Sequence, residues 1–289
     1  MTATSSSFTS PVDGTSLATF SWEEVAEPRG IVQIAHGIAE HALRYDRLAK
    51  SLTAAGYRVH ANDHRGHGRS VTSAAGLGHF GEPGFPGLVA DVAAYGHRLV
   101  DGAEGLPVFL IGHSMGSFAA QAVIVDHPDL YAGAVLSGST ALDVLAQGMA
   151  AADGPAGLEA FNAGFEHRTG YEWLSRDEAE VDRYVADALA GFDLPDDAVP
   201  ALFGVAPRLA EPTVLAGIRS DLPLLLVSGS DDPLAGGGRL VELLGQRYQQ
   251  AGVLDVRITI YPGARHEIFN ETNRDEVTAD VVAWLHAHD

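Results

Sequence analysis

Gly112-His113-Ser114-Met115-Gly116 has the form G-x-S-x-G, a pattern in which a sharp strand-to-helix turn holds a serine hydroxyl out for nucleophilic attack. The flanking residues suit that reading. The apolar run 107–112 predicts a buried strand before the serine, and 116–126 a helix directly behind it. The glycines tolerate a turn that side chains would block. The helix start adds free N–H groups and a positive dipole end. A neutral serine hydroxyl is a weak nucleophile and needs a base. The chain has 13 histidines, so position must choose among them. In strand-turn-helix sites of this kind the order is serine, acid, histidine. His266, after the last predicted strand and before the last helix, satisfies it. His286 and His288 lie at the chain end. The acid should follow the strand 222–228, where Asp231 and Asp232 both stand; spacing alone leaves the two open. A developing oxyanion needs two backbone donors. The N–H of Met115 is one candidate. The N–H of Ile38, in the loop after strand 31–35, is the other, with Gly37 letting that loop approach the serine.

The elements that must carry these residues follow from hydrophobic pattern. Extended runs 8–11 and 15–22 around Asp13-Gly14 predict a hairpin. Strands are expected at 31–35, 57–62, 107–112, 132–137, 222–228 and 256–261. Helices are expected at 43–55, 87–100, 116–126, 175–190, 239–250 and 273–286. Strands alternating with helices imply a mostly parallel sheet covered on both faces. The gap between 137 and 222 is several times longer than a crossover needs. It reads as a helical cap inserted over 141–220, with 1–140 and 221–289 as the core. Its Leu142, Val144, Leu145, Phe161, Phe165, Leu202, Phe203 and Val205 are candidates for an apolar acyl pocket.

Bulk composition excludes several classes. The 289 residues are 46% apolar and 19% charged, with 38 acidic against 18 basic side chains and a net charge of −20. That balance argues against nucleic acid as a partner and against electrostatic docking on anionic membrane. There is no cysteine, hence no disulfide, thiolate nucleophile or Cys-ligated zinc. Residues 1–10 lack the basic and apolar regions of a secretory signal, and no run approaches the length of a membrane span. A soluble, cytoplasmic protein is expected, with at most weak membrane association through the cap. His64 and His67 have H-x-x-H spacing, but their segment contains two glycines and no third ligand stands out, so no metal is expected.

Taken together, His36-Gly37-Ile38-Ala39-Glu40-His41, Asp63-His64-Arg65-Gly66-His67-Gly68-Arg69-Ser70, the Ser114 motif, Gly229-Ser230-Asp231-Asp232-Pro233 and Arg265-His266-Glu267 carry a resemblance. The chain resembles the monoacylglycerol lipase and lysophospholipase branch of the α/β-hydrolases, often grouped with serine aminopeptidase-like hydrolases. The resemblance covers the whole core. It implies an α/β-hydrolase fold with a mostly parallel eight-stranded sheet and a helical cap, and hydrolysis of single-chain carboxylic esters without a cofactor. It also implies Asp232, just before Pro233-Leu234, as the acid. Residues matching Glu40 and Arg44 stand near the alcohol pocket in that branch. Glu40 and Arg44 join Gly37 and His113 as substrate-binding candidates, although i,i+4 spacing would equally let them pair with each other. The chain departs from the branch at Ile38 and at Phe269, which stands where some members carry a second histidine. Both make the expected alcohol side bulkier and more apolar. Thioesterase, acyl transferase or aminopeptidase chemistry would use the same triad, and an inactive scaffold would have lost part of it.

Overall fold

Strands buried on both faces need unbroken apolar runs, and β3 (Gly30–Ala35), β5 (Val108–His113), β6 (Gly133–Ser137) and β7 (Leu224–Gly229) are buried at every residue. The computed structural model describes residues 2–151 and 158–289. With β1 (Thr4–Thr9), β2 (Ser16–Trp22), β4 (Tyr57–Asn62) and β8 (Val256–Tyr261), these strands form one eight-stranded sheet ordered β1-β2-β4-β3-β5-β6-β7-β8. The β1-β2 and β2-β4 pairs are antiparallel and the rest are parallel. Helices α1 (Asp46–Ala54) and α10 (Arg274–His286) cover one face. Helices α2 (Gly84–Asp101), α3 (Met115–Asp126) and α9 (Arg239–Gln250) cover the other. Helix α3, behind the predicted nucleophile, is buried along nearly all its length. That explains why it shows no polar face.

Several boundaries differ from the sequence expectation, each for a local reason. The first strand runs over Thr4–Thr9, not 8–11; its Ser/Thr residues face solvent and only Phe8 is buried, so backbone pairing with β2 makes the strand and no alternation announces it. Residues Ala42–Tyr45 form a 3-10 turn before α1 begins at Asp46. Helix α2 starts at Gly84, earlier than predicted, with Pro86 in its first turn, where a missing N–H costs nothing.

Between β6 and β7 lie α4 (Leu142–Ala151), α5 (Glu178–Ala186), α6 (Ala198–Phe203), α7 (Ala206–Ala210) and α8 (Pro212–Leu215). Residues 152–157 of the insert expected over 141–220 lie outside the described residues. Helix α5 is shorter than the predicted 175–190. Asp177 caps it by accepting from the Ala179 N–H, and the Ser175 hydroxyl donates to Asn270 O at 2.9 Å instead of entering the helix. This part of the insert is tied to the core by buried polar contacts. The buried Glu271 carboxylate accepts from the Arg176 N–H and Nε and from the Arg265 N–H. The Arg265 guanidinium donates to Glu172 O at 2.7 Å and Ser175 O at 3.1 Å.

A second buried network fixes the turn of the N-terminal hairpin to α2 and to the loop after β4. The Arg65 guanidinium is enclosed by Asp91 at 2.8 Å and Asp13 at 2.9 Å, and also donates to Phe80 O at 3.1 Å. Removing one partner of a buried pair leaves an uncompensated charge. Asp91→Ala leaves Arg65 with the less buried Asp13 as its remaining carboxylate and should lower the unfolding free energy by about 1.5–3 kcal/mol. The exposed Arg208–Asp126 pair should contribute no more than about 1 kcal/mol. Urea unfolding of Asp91→Ala and Arg208→Ala, compared at equal slope, measures both.

Candidate active site

Ser114 stands between β5 and α3 with φ 50° and ψ −122°, a strained backbone that persists only when its surroundings over-determine it. They do. The Ser114 N–H donates to Ser137 O at 2.9 Å, and Ser114 O accepts from the Ser117 and Phe118 N–H groups. A Cβ on Gly116 would sit 2.1 Å from Ala35 O, and one on Gly112 would sit 2.5 Å from Gly116 O. Only glycine fits at either place. A Cβ on Gly37 would lie 3.2 Å from the Ser114 Cβ, so the loop after β3 lies directly against the serine.

His266 and Asp232 meet from the loops after β8 and β7. The His266 Nδ1 bonds to Asp232 Oδ2 at 2.9 Å, and both residues are 2% exposed. Asp232 Oδ2 also accepts the Ser228 hydroxyl, and Oδ1 the Leu234 N–H. Burial alone would raise the Asp232 carboxyl. The His266 charge and hydrogen bond, with these donors, outweigh it and hold the pKa below the ordinary value. Burial likewise opposes protonation of His266, but Asp232 carries its pKa above 6.5, helped by Glu267 and Glu40. The ring packs against those of His113, 4.7 Å away, and Trp173, 4.9 Å away. With Nδ1 committed to Asp232, Nε2 is left for the pocket that His266 shares with Ser114. Asp231 is exposed and its carboxylate accepts only the Ser230 hydroxyl among the described residues.

The pocket encloses about 680 Å³, open solvent at its mouth included. Gly37, Ile38, Glu40, His113, Ser114, Met115 and His266 all line it. Among the described residues neither the Ile38 nor the Met115 N–H donates to a protein acceptor. From the insert, the predicted Leu145, Phe161, Leu202 and Phe203 reach the pocket, together with Met149, Leu158, Trp173, Leu174, Tyr184 and Val199, which the sequence reading missed. Leu142, Val144, Phe165 and Val205 do not reach it. Neither does Phe269, which is buried in the core beneath α1 and α10. The expectation that Phe269 narrows the alcohol side is therefore corrected.

Glu40 and Arg44 are brought together, as their spacing allowed, and a third residue joins them. Arg44 Nη1 bonds to Glu40 Oε2 at 2.9 Å and to Glu267 Oε1, and Nη2 bonds to Glu267 Oε2 at 2.7 Å. The guanidinium lies 4.7 Å over the Tyr184 ring and is absent from the pocket wall. Glu40 Oε1 accepts the Gly37 N–H and the Tyr45 hydroxyl. These contacts tie the Gly37 loop to the residue that follows His266. Burial opposes ionisation of Glu267, but the Arg44 charge and hydrogen bonds bring its pKa down to about 2. Burial raises the Glu40 carboxyl despite Arg44; its three donors are nonetheless those of an ionised carboxylate. Glu267 could have been suspected only from its place beside His266.

His36, His64 and His67 form a buried cluster of tilted rings, His36 lying 4.1 Å from His64 and 5.4 Å from His67. The His36 Nδ1–H donates to Gly37 O and Nε2 accepts the His64 N–H. The His67 Nε2 accepts the Ala39 N–H at 3.2 Å. They hold the loop that carries Gly37 and Ile38. Among the described residues no cluster of three or more His, Cys, Asp or Glu side chains has metal-binding geometry.

Comparison with known proteins adds an independent line. A family model described as "Serine aminopeptidase, S33" matches residues 26–273. The monoacylglycerol lipase of Mycolicibacterium smegmatis is 35% identical over 92% of this chain and 91% of its own length. The human monoglyceride lipase is 30% identical over 93% and 85%. Among solved structures, a thermostable carboxyl esterase from Bacillus coagulans, determined with glycerol, superposes with a TM-score of 0.87. It is 25% identical and covers 100% of this chain and 99% of that one. The monoacylglycerol lipase of Paleococcus ferrophilus gives 0.70 at 26% identity, covering 94% and 99%.

The histidine cluster has a consequence for acid stability. Burial, then the neighbouring imidazoles, push His36 well below its ordinary pKa. Burial likewise takes His64 to about 3 and His67 to about 4. Each ring is neutral when folded but takes a proton when unfolded below about pH 6.5. Its contribution is thus complete above pH 6.5 and is lost as pH falls toward the folded values. Unfolding free energy should drop by up to about 1.4 kcal/mol per pH unit for each ring between pH 6 and 4.5. His67→Gln should remove one ring's share of that slope in urea titrations at stepped pH.

Proposed function

The chain belongs to the serine aminopeptidase, S33, family of α/β-hydrolases and is a carboxylic ester hydrolase, and from that premise we propose that Ser114, His266 and Asp232 are its catalytic triad. The observation that carries the reading is the buried His266–Asp232 bond, with His266 lining the same pocket as the strained Ser114. Ser114 Oγ attacks the ester carbonyl carbon while His266 Nε2 takes its proton. Asp232 holds the imidazole in the tautomer with Nδ1–H and stabilises the imidazolium. The N–H groups of Ile38 and Met115 receive the oxyanion. Collapse of the tetrahedral intermediate expels the alcohol, which takes the proton from His266 and leaves an acyl-enzyme. Water, activated by the same histidine, then releases the acid. No step calls for a cofactor.

The substrate we infer is an ester of one acyl chain. Residues 141–220 act as a cap over the core formed by 1–140 and 221–289, and their apolar side chains line the acyl side of the pocket. Gly37, Glu40 and His113 border the substrate, and Arg44 acts from behind Glu40. Relatives named as monoacylglycerol or monoglyceride lipases support a small-alcohol ester over an amide or thioester. No helix among the described residues is long and apolar enough to cross a membrane. We propose a cytoplasmic location; the net charge of −20 argues against electrostatic docking on anionic membrane and leaves at most weak contact through the apolar side chains of the cap.

Ser114→Ala and His266→Ala should each lower kcat by about 10⁴–10⁶-fold, because nucleophile and base act as a unit. Reaction with a fluorophosphonate should disappear in Ser114→Ala. Asp232→Asn should cost about 10⁴-fold, and Asp231→Asn only a few-fold; the reverse ranking would move the acid one residue. The base must be unprotonated, so the acid limb of kcat/KM should lie above pH 6.5 and move down in Asp232→Asn. Across saturated monoesters, kcat/KM should rise by up to about fourfold per methylene until the pocket is full, then fall.

A further inference from the structure

Collapse of the first tetrahedral intermediate, which forms the acyl-enzyme, locates the leaving group. His266 gives its proton to the departing alcohol, so that alcohol lies beside His266 and its neighbour Glu267. The charges facing this side are all of one sign apart from the base itself. Glu40 and Glu267 line the pocket, and no arginine or lysine does among the described residues. Arg44, the guanidinium that bonds both carboxylates, is fully engaged by them and covered by Tyr184. Two carboxylates against one guanidinium leave the cluster one negative charge in excess. A phosphate-bearing leaving group would find no free cation among the described residues that line the pocket and would stand close to that excess in a poorly solvated site.

We propose that Glu40 and Glu267 make the leaving-group side a charge filter: esters of neutral or cationic alcohols are accepted, and esters of anionic, phosphate-bearing alcohols are excluded. The inference rests on the ester-hydrolase reading and narrows it. Repulsion between unit charges about 5 Å apart at an effective dielectric near 20 corresponds to about a 10²-fold penalty.

The test uses three hexanoate esters below their micelle concentrations, of glycerol, of choline and of glycerol 3-phosphate. The readout is kcat/KM in 0.15 M and 1 M NaCl. The glycerol and choline esters should fall within about tenfold of each other, and the phosphate ester about 10²-fold lower. The penalty should survive 1 M salt, where a Debye length of about 3 Å removes the long-range field of the acidic surface. Glu267→Gln leaves Arg44 matched by Glu40 alone, removes the excess charge and should raise the phosphate-to-glycerol ratio by up to about 10²-fold. Glu40→Gln supplies the same comparison should the first variant fail to fold. Each ratio is internal to its variant, so a general loss of activity cancels. The filter is overturned by cleavage of the phosphate ester within threefold of the glycerol ester, by a penalty that vanishes in 1 M salt, or by an unchanged ratio in the variants. Failure to cleave any of the three esters, with no fluorophosphonate labelling of Ser114, overturns the ester-hydrolase reading and the filter with it. Cleavage without discrimination overturns the filter alone.

Discussion

Backbone-to-backbone contact at three glycines is the constraint on which the site depends. Gly116 lies against the Ala35 carbonyl, Gly112 against the Gly116 carbonyl, and Gly229 so close to Ala264 that a Cβ would fall 1.9 Å from its oxygen. The first two contacts hold the Ser114 turn onto β3. The third seats the Asp232 loop on the His266 loop. Side chains can repack around a methyl group, but the carbonyls of Ala35 at the end of β3, of Gly116 in the first turn of α3 and of Ala264, which accepts the Asp231 N–H, belong to backbone that cannot move far without losing hydrogen bonds. The spacing of serine, histidine and aspartate is thus set by main chain, and the strain at Ser114 is borne by the whole sheet.

Much of this was legible in the sequence because it rests on short-range signals. Apolar runs marked the central strands, Gly112 and Gly116 flanked the serine, and chain order singled out His266. The first strand was misplaced because Ser5, Ser6 and Ser7 contribute backbone pairing alone. Asp231 and Asp232 could not be separated by spacing; burial and the loop's turn separate them. The insert was visible as a length, but helices of four to six residues such as α6, α7 and α8 are too short to show a period. Glu267 escaped notice because its meaning lies with Arg44, 223 positions away.

Polar burial is unevenly distributed. The segment 172–177 is bound to the loop of His266 through Glu271, Arg265 and Arg274, whereas α6 reaches the pocket with Val199, Leu202 and Phe203. Charge-assisted hydrogen bonds fix direction and distance, while apolar contacts tolerate exchange of shape. One wall of the pocket is therefore held to a geometry and the other to a volume.

The Glu40–Arg44–Glu267 cluster also bears on how such a site can diverge. Each member touches the other two or braces a loop that they brace, so their mutational effects cannot add. Replacing Arg44 alone leaves two buried carboxylates facing each other; replacing both acids leaves a buried guanidinium. Changing the alcohol side one residue at a time thus passes through stranded charges. Drift toward a new leaving group favours coordinated replacement, and these three positions are expected to vary as a set among descendants of this chain.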